Sequence, residues 1–299
     1  MAKAIRRLGI ERLEVALDCL KDCRRAEAIH CARKDIKRVR AVLRMGRTHI
    51  AEKELRRFSE LLRETASHLA APRDAYVKVK TLKALAAHFK GQLAPRSLRH
   101  IRSRLRYDFD EEMRRFAGQK KAKAVERVLI RLTKEFEGLE VDGKGWKAIG
   151  PGVKAAYGKG RIAWQRAQIE LAPEDFHRWR KRAKDLWYQV TLLRPVWPEQ
   201  MDAMAHELET LSEYLGDDHD LFVLQQFLPL KCESDAERRE LEVLHGLIEE
   251  RQRELRAAAL TLGQRFYAEK SSTFCHRLAG YWHVWRQEDN RCIQSTAAS

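Results

Sequence analysis

The 299-residue sequence contains no apolar run approaching the roughly 18–20 residues that a membrane-spanning helix requires. The segment MAKAIRRLGIERLEVAL returns to charge before the apolar region of a signal peptide develops, so a cytoplasmic protein is expected. Prolines number only 7, and Pro72, Pro95, Pro151, Pro173, Pro195, Pro198 and Pro229 fall where one periodic segment gives way to another. The six cysteines form no C-x2-C pair, which argues against a zinc ribbon, and their scatter suggests no disulfide framework. Cys19 and Cys23 lie one helical turn apart, a spacing open to a shared metal, but they read as small buried hydrophobes with no assigned chemistry. Acids are also in deficit. Lys plus Arg number 59 against 43 Asp plus Glu, for a formal net charge of +16 and a pI near 9.7. The 44% hydrophobic content excludes a wholly disordered chain.

Strand-like alternation is nearly absent, and the i, i+3, i+4, i+7 apolar rhythm of amphipathic helices runs almost throughout, so the fold class is all-α. The pattern predicts helices over about 3–26, 27–46, 51–70, 73–90, 95–117, 120–137, 153–171, 173–194, 198–215, 218–228, 234–263 and 265–287. Pro95 and Pro173 suit the first turn of the helices that follow them. Seven of the 15 glycines fall between Gly138 and Gly160. That interval reads as a joint between two halves, 1–140 and 141–299. It is no phosphate loop, since Gly145-x4-Gly150 is followed by Pro151 instead of Lys-Ser/Thr and no strand precedes it.

The halves repeat one another. The stretch Ala28 to Arg40 aligns with Asp175 to Trp187 at an offset of 147, and both read apolar-His-x-x-Arg-Lys-x-x-Lys. Arg73-Asp74 aligns with His219-Asp220 at an offset of 146. At about 100° per residue, His30, Arg33, Lys34, Lys37, Arg40 and Arg44 share an arc of about 120° beside a core stripe of Ile29, Ala32, Ile36, Val39 and Leu43, while Asp35 and Arg38 point elsewhere. His177, Arg180, Lys181 and Lys184 form the second basic arc, beside Phe176, Trp179, Ala183, Leu186 and Val190. Like charges at this spacing destabilise a helix by a few tenths of a kcal/mol, and the first arc contains no acid. Such accumulation, made twice, points to an anionic ligand. Arg96, Arg99, Arg102 and Arg106 form a third basic face, with Asp108, Asp110, Glu111 and Glu112 following as candidate neutralisers.

These residues resemble the CHAD family, the conserved histidine α-helical domain, whose apolar-His-x-x-Arg-x-x-x-Lys/Arg helix and Leu-Gly-x-x-Arg-Asp turn occur in two halves. The second motif reads Leu69-Ala70-Ala71-Pro72-Arg73-Asp74 here, and again Leu215-Gly216-Asp217-Asp218-His219-Asp220. The resemblance implies two pseudo-symmetric four-helix-bundle repeats around a central basic pore or groove, together one module. It also implies binding of inorganic polyphosphate, for which the expected residues are the two arcs, Arg73, Arg99, Arg102, Arg106 and His219, with association with polyphosphate granules. Ala70, His219 and Trp187 depart from the pattern, so the second half should be the less cationic. No triphosphate tunnel domain, often coupled to the family, fits in this chain.

A linear polyanion without base edges suits cations aligned along a helix, and His30 to Arg44 extends about 21 Å. His30 and His177 either donate to phosphate or stay neutral among the cations. Asp74 and Asp220 are expected to cap a helix or hold an arginine of the basic path. An enzyme is the first rival, because His219-Asp220 is a dyad and Glu-x-x-His occurs at Glu27/His30, Glu174/His177 and Glu242/His245. The adjacent Arg-Lys-x-x-Lys would repel a divalent cation, so no catalytic residue, metal or cofactor is expected. Nucleic acid is the second rival, permitted by the pI but disfavoured by the placement of Phe176 and Trp179 on the core stripe.

Overall fold

The computed structural model describes residues 2–22, 25–92, 98–118, 121–228 and 235–297. Among these there is no strand, and eleven α-helices account for the fold. They are α1 (Ala2–Leu20), α2 (Ala26–Met45), α3 (Glu52–His68), α4 (Ala70–His88), α5 (Arg99–Gly118) and α6 (Lys121–Glu137). After a 3₁₀ turn at Gly145–Ala148 come α7 (Gly150–Glu170), α8 (Pro173–Leu192), α9 (Pro198–Phe227), α10 (Asp235–Phe266) and α11 (Ser271–Ala297). Among the described residues no helix is long and apolar enough to cross a membrane.

Both basic helices form for legible reasons. Glu27 opens α2 and Arg44 closes it, while Pro173, Glu174 and Asp175 open α8, arrangements that complement the helix dipole and its first turn. The expected core stripes are buried, with Ile29, Ile36, Val39, Phe176, Trp179 and Leu186 wholly excluded from solvent. α2 lies at the centre, packed on α1, α3, α4, α7 and α8. α6 packs on α1 and α3, while α7 and α9 both pack on α8 and α11 packs on α7. One apolar core runs from Ile5 through Trp179 to Trp282, and a second joins α4 and α5 to α9 and α10. Both cores therefore draw on both halves of the sequence.

Four expectations are corrected. The predicted break between 215 and 218 does not occur, and α9 runs through Gly216 without interruption. An interior glycine costs about 1 kcal/mol. Here it lies beside the Arg180 side chain, and α10 braces the next turn through Arg256 to the Asp218 carboxylate at 2.7 Å. The glycine interval is only half a joint, because Gly150, Gly152, Gly158 and Gly160 belong to α7. A Cβ on Gly152 would stand 2.1 Å from the Met45 carbonyl oxygen, so this glycine serves close contact between α7 and the end of α2. Asp35 does not point away from the packing. It is 2% exposed and pairs with Arg38 at 2.9 Å and Arg12 of α1 at 3.5 Å. Finally, Cys19 of α1 and Cys31 of α2 are joined as a disulfide, a pairing set by the helical hairpin and invisible to spacing within one helix. Cys23, Cys232, Pro95, Arg96 and Pro229 lie outside the described residues.

Candidate anion-binding site

A cavity of about 850 Å³ opens between α2, α4, α8, α9 and α10. α2 contributes His30, Arg33, Lys34 and Lys37, and α8 contributes Arg180, Lys184, Trp187 and Tyr188. Two arcs that are 147 residues apart in sequence thus line one space. Arg73 joins them from the first turn of α4, where the chain bends at Leu69 between α3 and α4. The corresponding motif in the second half lies inside uninterrupted α9, so the two copies occupy different local structures.

The electrostatics are lopsided. Neither Lys37 nor Lys184 forms an ion pair among the described residues. Burial, with Arg33, Arg180 and Arg73 nearby, pushes the Lys37 ammonium down to about 7. Burial, then Arg180 and Lys37, push Lys184 well below the ordinary lysine range. His30 is driven down to about 4 by burial and then by Arg73, Lys37 and Lys184. These groups cost least when neutral, so an anion among them would restore charges that burial now opposes. Three buried polar atoms of lining residues also lack partners among the described residues: the Nε of Arg33, the Nε of Arg180 and the Oγ of Ser212, which is 3% exposed.

Asp220 reaches into the cluster from α9. Its carboxylate stands 3.7 Å from Arg73 and 3.3 Å from the His219 ring. Burial acts to raise its pKa, but the His219 hydrogen bond, Arg73 and Arg180 hold it below the usual carboxylate range. Asp220 therefore holds an arginine of the basic path, one of the two roles expected of it, and does so across the halves. Asp74 also pairs with Arg73, at 3.2 Å.

Other expected residues lie outside this lining. Arg44 donates to Asp185 of α8 at 2.5 Å, an acid its own helix does not contain. Arg40 also feels Asp185. His177 and His219 stack at 4.3 Å, and burial followed by His219 pushes His177 down to about 4. Lys181 is exposed on the same helix. Arg99, Arg102 and Arg106 are exposed on α5, away from the cavity. In place of a second Arg40, Trp187 carries Lys34 over its ring at 5.3 Å. The candidate metal pair at Glu27 is otherwise engaged, since the Tyr76 hydroxyl donates to its carboxylate at 3.0 Å. Among the described residues, no three His, Cys, Asp or Glu side chains converge as metal ligands.

The cavity also holds Lys80, Arg251, Asp217 and Glu213, which sequence reasoning did not select. Lys80 lies seven residues after Arg73, two turns along one face of α4, and that periodicity is the signal that could have found it. Arg251 sits in a helix dense in both charges and carries no local signal.

The model of the CHAD domain family matches residues 7–229. The chain belongs to the CHAD family. The CHAD match ends just after α9, so α10, with Arg251, packs onto the cavity from beyond it. The fold is similar to that of PptA from Streptomyces chartreusis, with a TM-score of 0.64 over 90% of this chain and 99% of that one at 13% identity. No curated protein matches the sequence.

Proposed function

We propose that this CHAD protein binds inorganic polyphosphate in the cavity between α2 and α8, and that it acts by binding, without catalysis. The observation that carries the reading is the pair Lys37 and Lys184, half-buried in one cavity beside Arg33, Arg73 and Arg180, with no ion pair among the described residues and only Asp74 and Asp220, beyond ion-pair distance, to offset their charge. Burial and the neighbouring cations oppose both ammonium groups more than those two carboxylates support them, and an anion in the cavity would complete the site. Arg33, Arg73 and Arg180 can fork phosphate oxygens, and the lysines supply point charges between them. The large aromatic side chains of the lining are engaged: Trp187 has Lys34 over its ring and stacks with Tyr188 at 5.0 Å, and Tyr76 lies against the Phe109 ring at 5.8 Å with its hydroxyl on Glu27. That favours an inorganic chain over bases. Family membership agrees with this ligand, and association with polyphosphate granules in the cytoplasm is its cellular form.

The test is the double variant Lys37→Glu with Lys184→Glu. It is expected to lose polyphosphate binding while retaining helicity, since both side chains border the cavity and removing them relieves mutual repulsion. Retained binding by the folded variant overturns the site. In competition, long-chain polyphosphate is expected to displace RNA at equal phosphate concentration; the reverse order favours a nucleic-acid binder.

A further inference from the structure

From Ala75 to Tyr107 the sequence contains nine Lys and Arg residues and no Asp or Glu. Only part of this charge serves the cavity. Lys80 lines it, while Lys78 and Arg104 lie over the Phe227 ring of α9 at 3.9 and 5.1 Å. Three others collect elsewhere. Lys83 of α4 and Arg102 and Arg106 of α5 surround a separate cleft of about 370 Å³, floored by Val79, Leu82 and Leu105. All three cations are exposed, and none forms an ion pair among the described residues.

α4 is the wall between the cavity and this cleft. Lys80 and Lys83 are three residues apart on it, so their Cβ atoms are separated by about 5–6 Å. A polyanion leaving the cavity past Lys80 meets Lys83 on the same ridge, and Arg102 and Arg106 continue the line one turn apart on α5. The apolar floor supports the aliphatic stems of the three cations and leaves their charged ends in solvent. The cleft lining contains no acid and no aromatic side chain, so it repels no phosphate and offers no stacking surface for bases. Asp108 and Asp110, just beyond Arg106, end the acid-free run.

We infer that Lys83, Arg102 and Arg106 form an outer track that holds the part of a long polyphosphate chain emerging from the cavity over α4. This rests on the cavity being the polyphosphate site. The track makes affinity depend on chain length: a short chain fills the cavity alone, and a long one adds the contacts outside.

The experiment compares tripolyphosphate with long-chain polyphosphate on the full chain, in wild type and in the variant Lys83→Glu, Arg102→Glu, Arg106→Glu. Tripolyphosphate affinity is expected to stay unchanged. Long-chain affinity should drop by roughly tenfold or more, and the slope of log affinity against log salt should become shallower by about 2, as three phosphate contacts are lost. The triple Gln variant, which neutralises without reversing charge, should move both in the same direction by less. Unchanged long-chain affinity and slope overturn the track. Equal losses for both ligands also overturn it, because the three residues would then act on the cavity or the fold. Loss of RNA binding with long-chain polyphosphate binding intact makes the surface a nucleic-acid face and overturns it too. The cavity variant Lys37→Glu, Lys184→Glu separates the two readings: if it still binds tripolyphosphate, the cavity assignment itself falls and the track falls with it.

Discussion

Lys37 titrates near 7 in the unliganded protein because burial and the surrounding arginines oppose its charge. A phosphate chain in the cavity reverses that balance and draws the pKa back up, so binding must take up protons wherever Lys37 and Lys184 start partly neutral. At pH 8 the heat of polyphosphate binding should therefore vary with the ionisation enthalpy of the buffer, in the direction of proton uptake. Affinity should decline as pH rises above about 7, where free Lys37 loses its proton, and should rise again as pH falls toward 4, where an anion in the cavity draws a proton onto His30. Equal heats in two buffers of different ionisation enthalpy would show that the lysines do not change charge on binding. The same physics explains what sequence reasoning saw and missed in these side chains. The arc of His30, Arg33, Lys34 and Lys37 is local to one helix, and periodicity exposes it. Arg44 sits on that arc too, but its partner is Asp185, 141 residues away, and no helical wheel contains that contact.

Among the helices, α7 shows most plainly how a composition signal can mislead. Glycine enrichment ordinarily marks a joint, yet Gly152 is buried in the first turn of α7 against the Met45 carbonyl. Gly152→Ala gains helix propensity of up to about 1 kcal/mol. It also forces a Cβ into a backbone atom that cannot rotate away, a misfit that costs roughly 1–3 kcal/mol or more as α7 and α2 shift apart. The net expectation is a lower thermal midpoint with the cavity residues untouched, and an unchanged midpoint would refute the close packing. In α9 the error runs the other way. Gly216-Asp217-Asp218 has the composition of a turn, but the Asp218 carboxylate accepts from Arg256 of α10 and its backbone carbonyl from Gln252 of the same helix. Tertiary partners satisfy the polar side chain that would otherwise favour a break.

The eleven helices close around a cationic interior, and this leaves the unliganded chain sensitive to acid. His30 and His177 titrate near 4 in the fold, while an unfolded histidine titrates near 6.5. Between those values the unfolded chain binds more protons than the folded one, so stability falls as pH falls from about 6.5 to 4. Thermal unfolding without ligand should show this decline. Polyphosphate should lessen it, because bound anions raise the histidine pKa values toward those of the unfolded chain. Replacing both histidines with Gln should flatten the decline in the free protein, and a decline that persists undiminished would assign it to other groups.

The sequence alone determined the all-α class, most helix positions, the buried stripes, the duplication and the two basic faces, because each of these is written in spacing along single helices. It also carried the family resemblance, since those motifs are short and local. The tertiary structure decided which cations share a space. It set Lys37 beside Lys184, tied Arg73 to Asp220, neutralised Arg44 with Asp185, brought Arg251 in from α10 and turned the α5 arginines onto a separate face. Those choices depend on side chains far apart in sequence meeting in one low-dielectric interior, where a single carboxylate settles whether a cation is paired or left to a ligand.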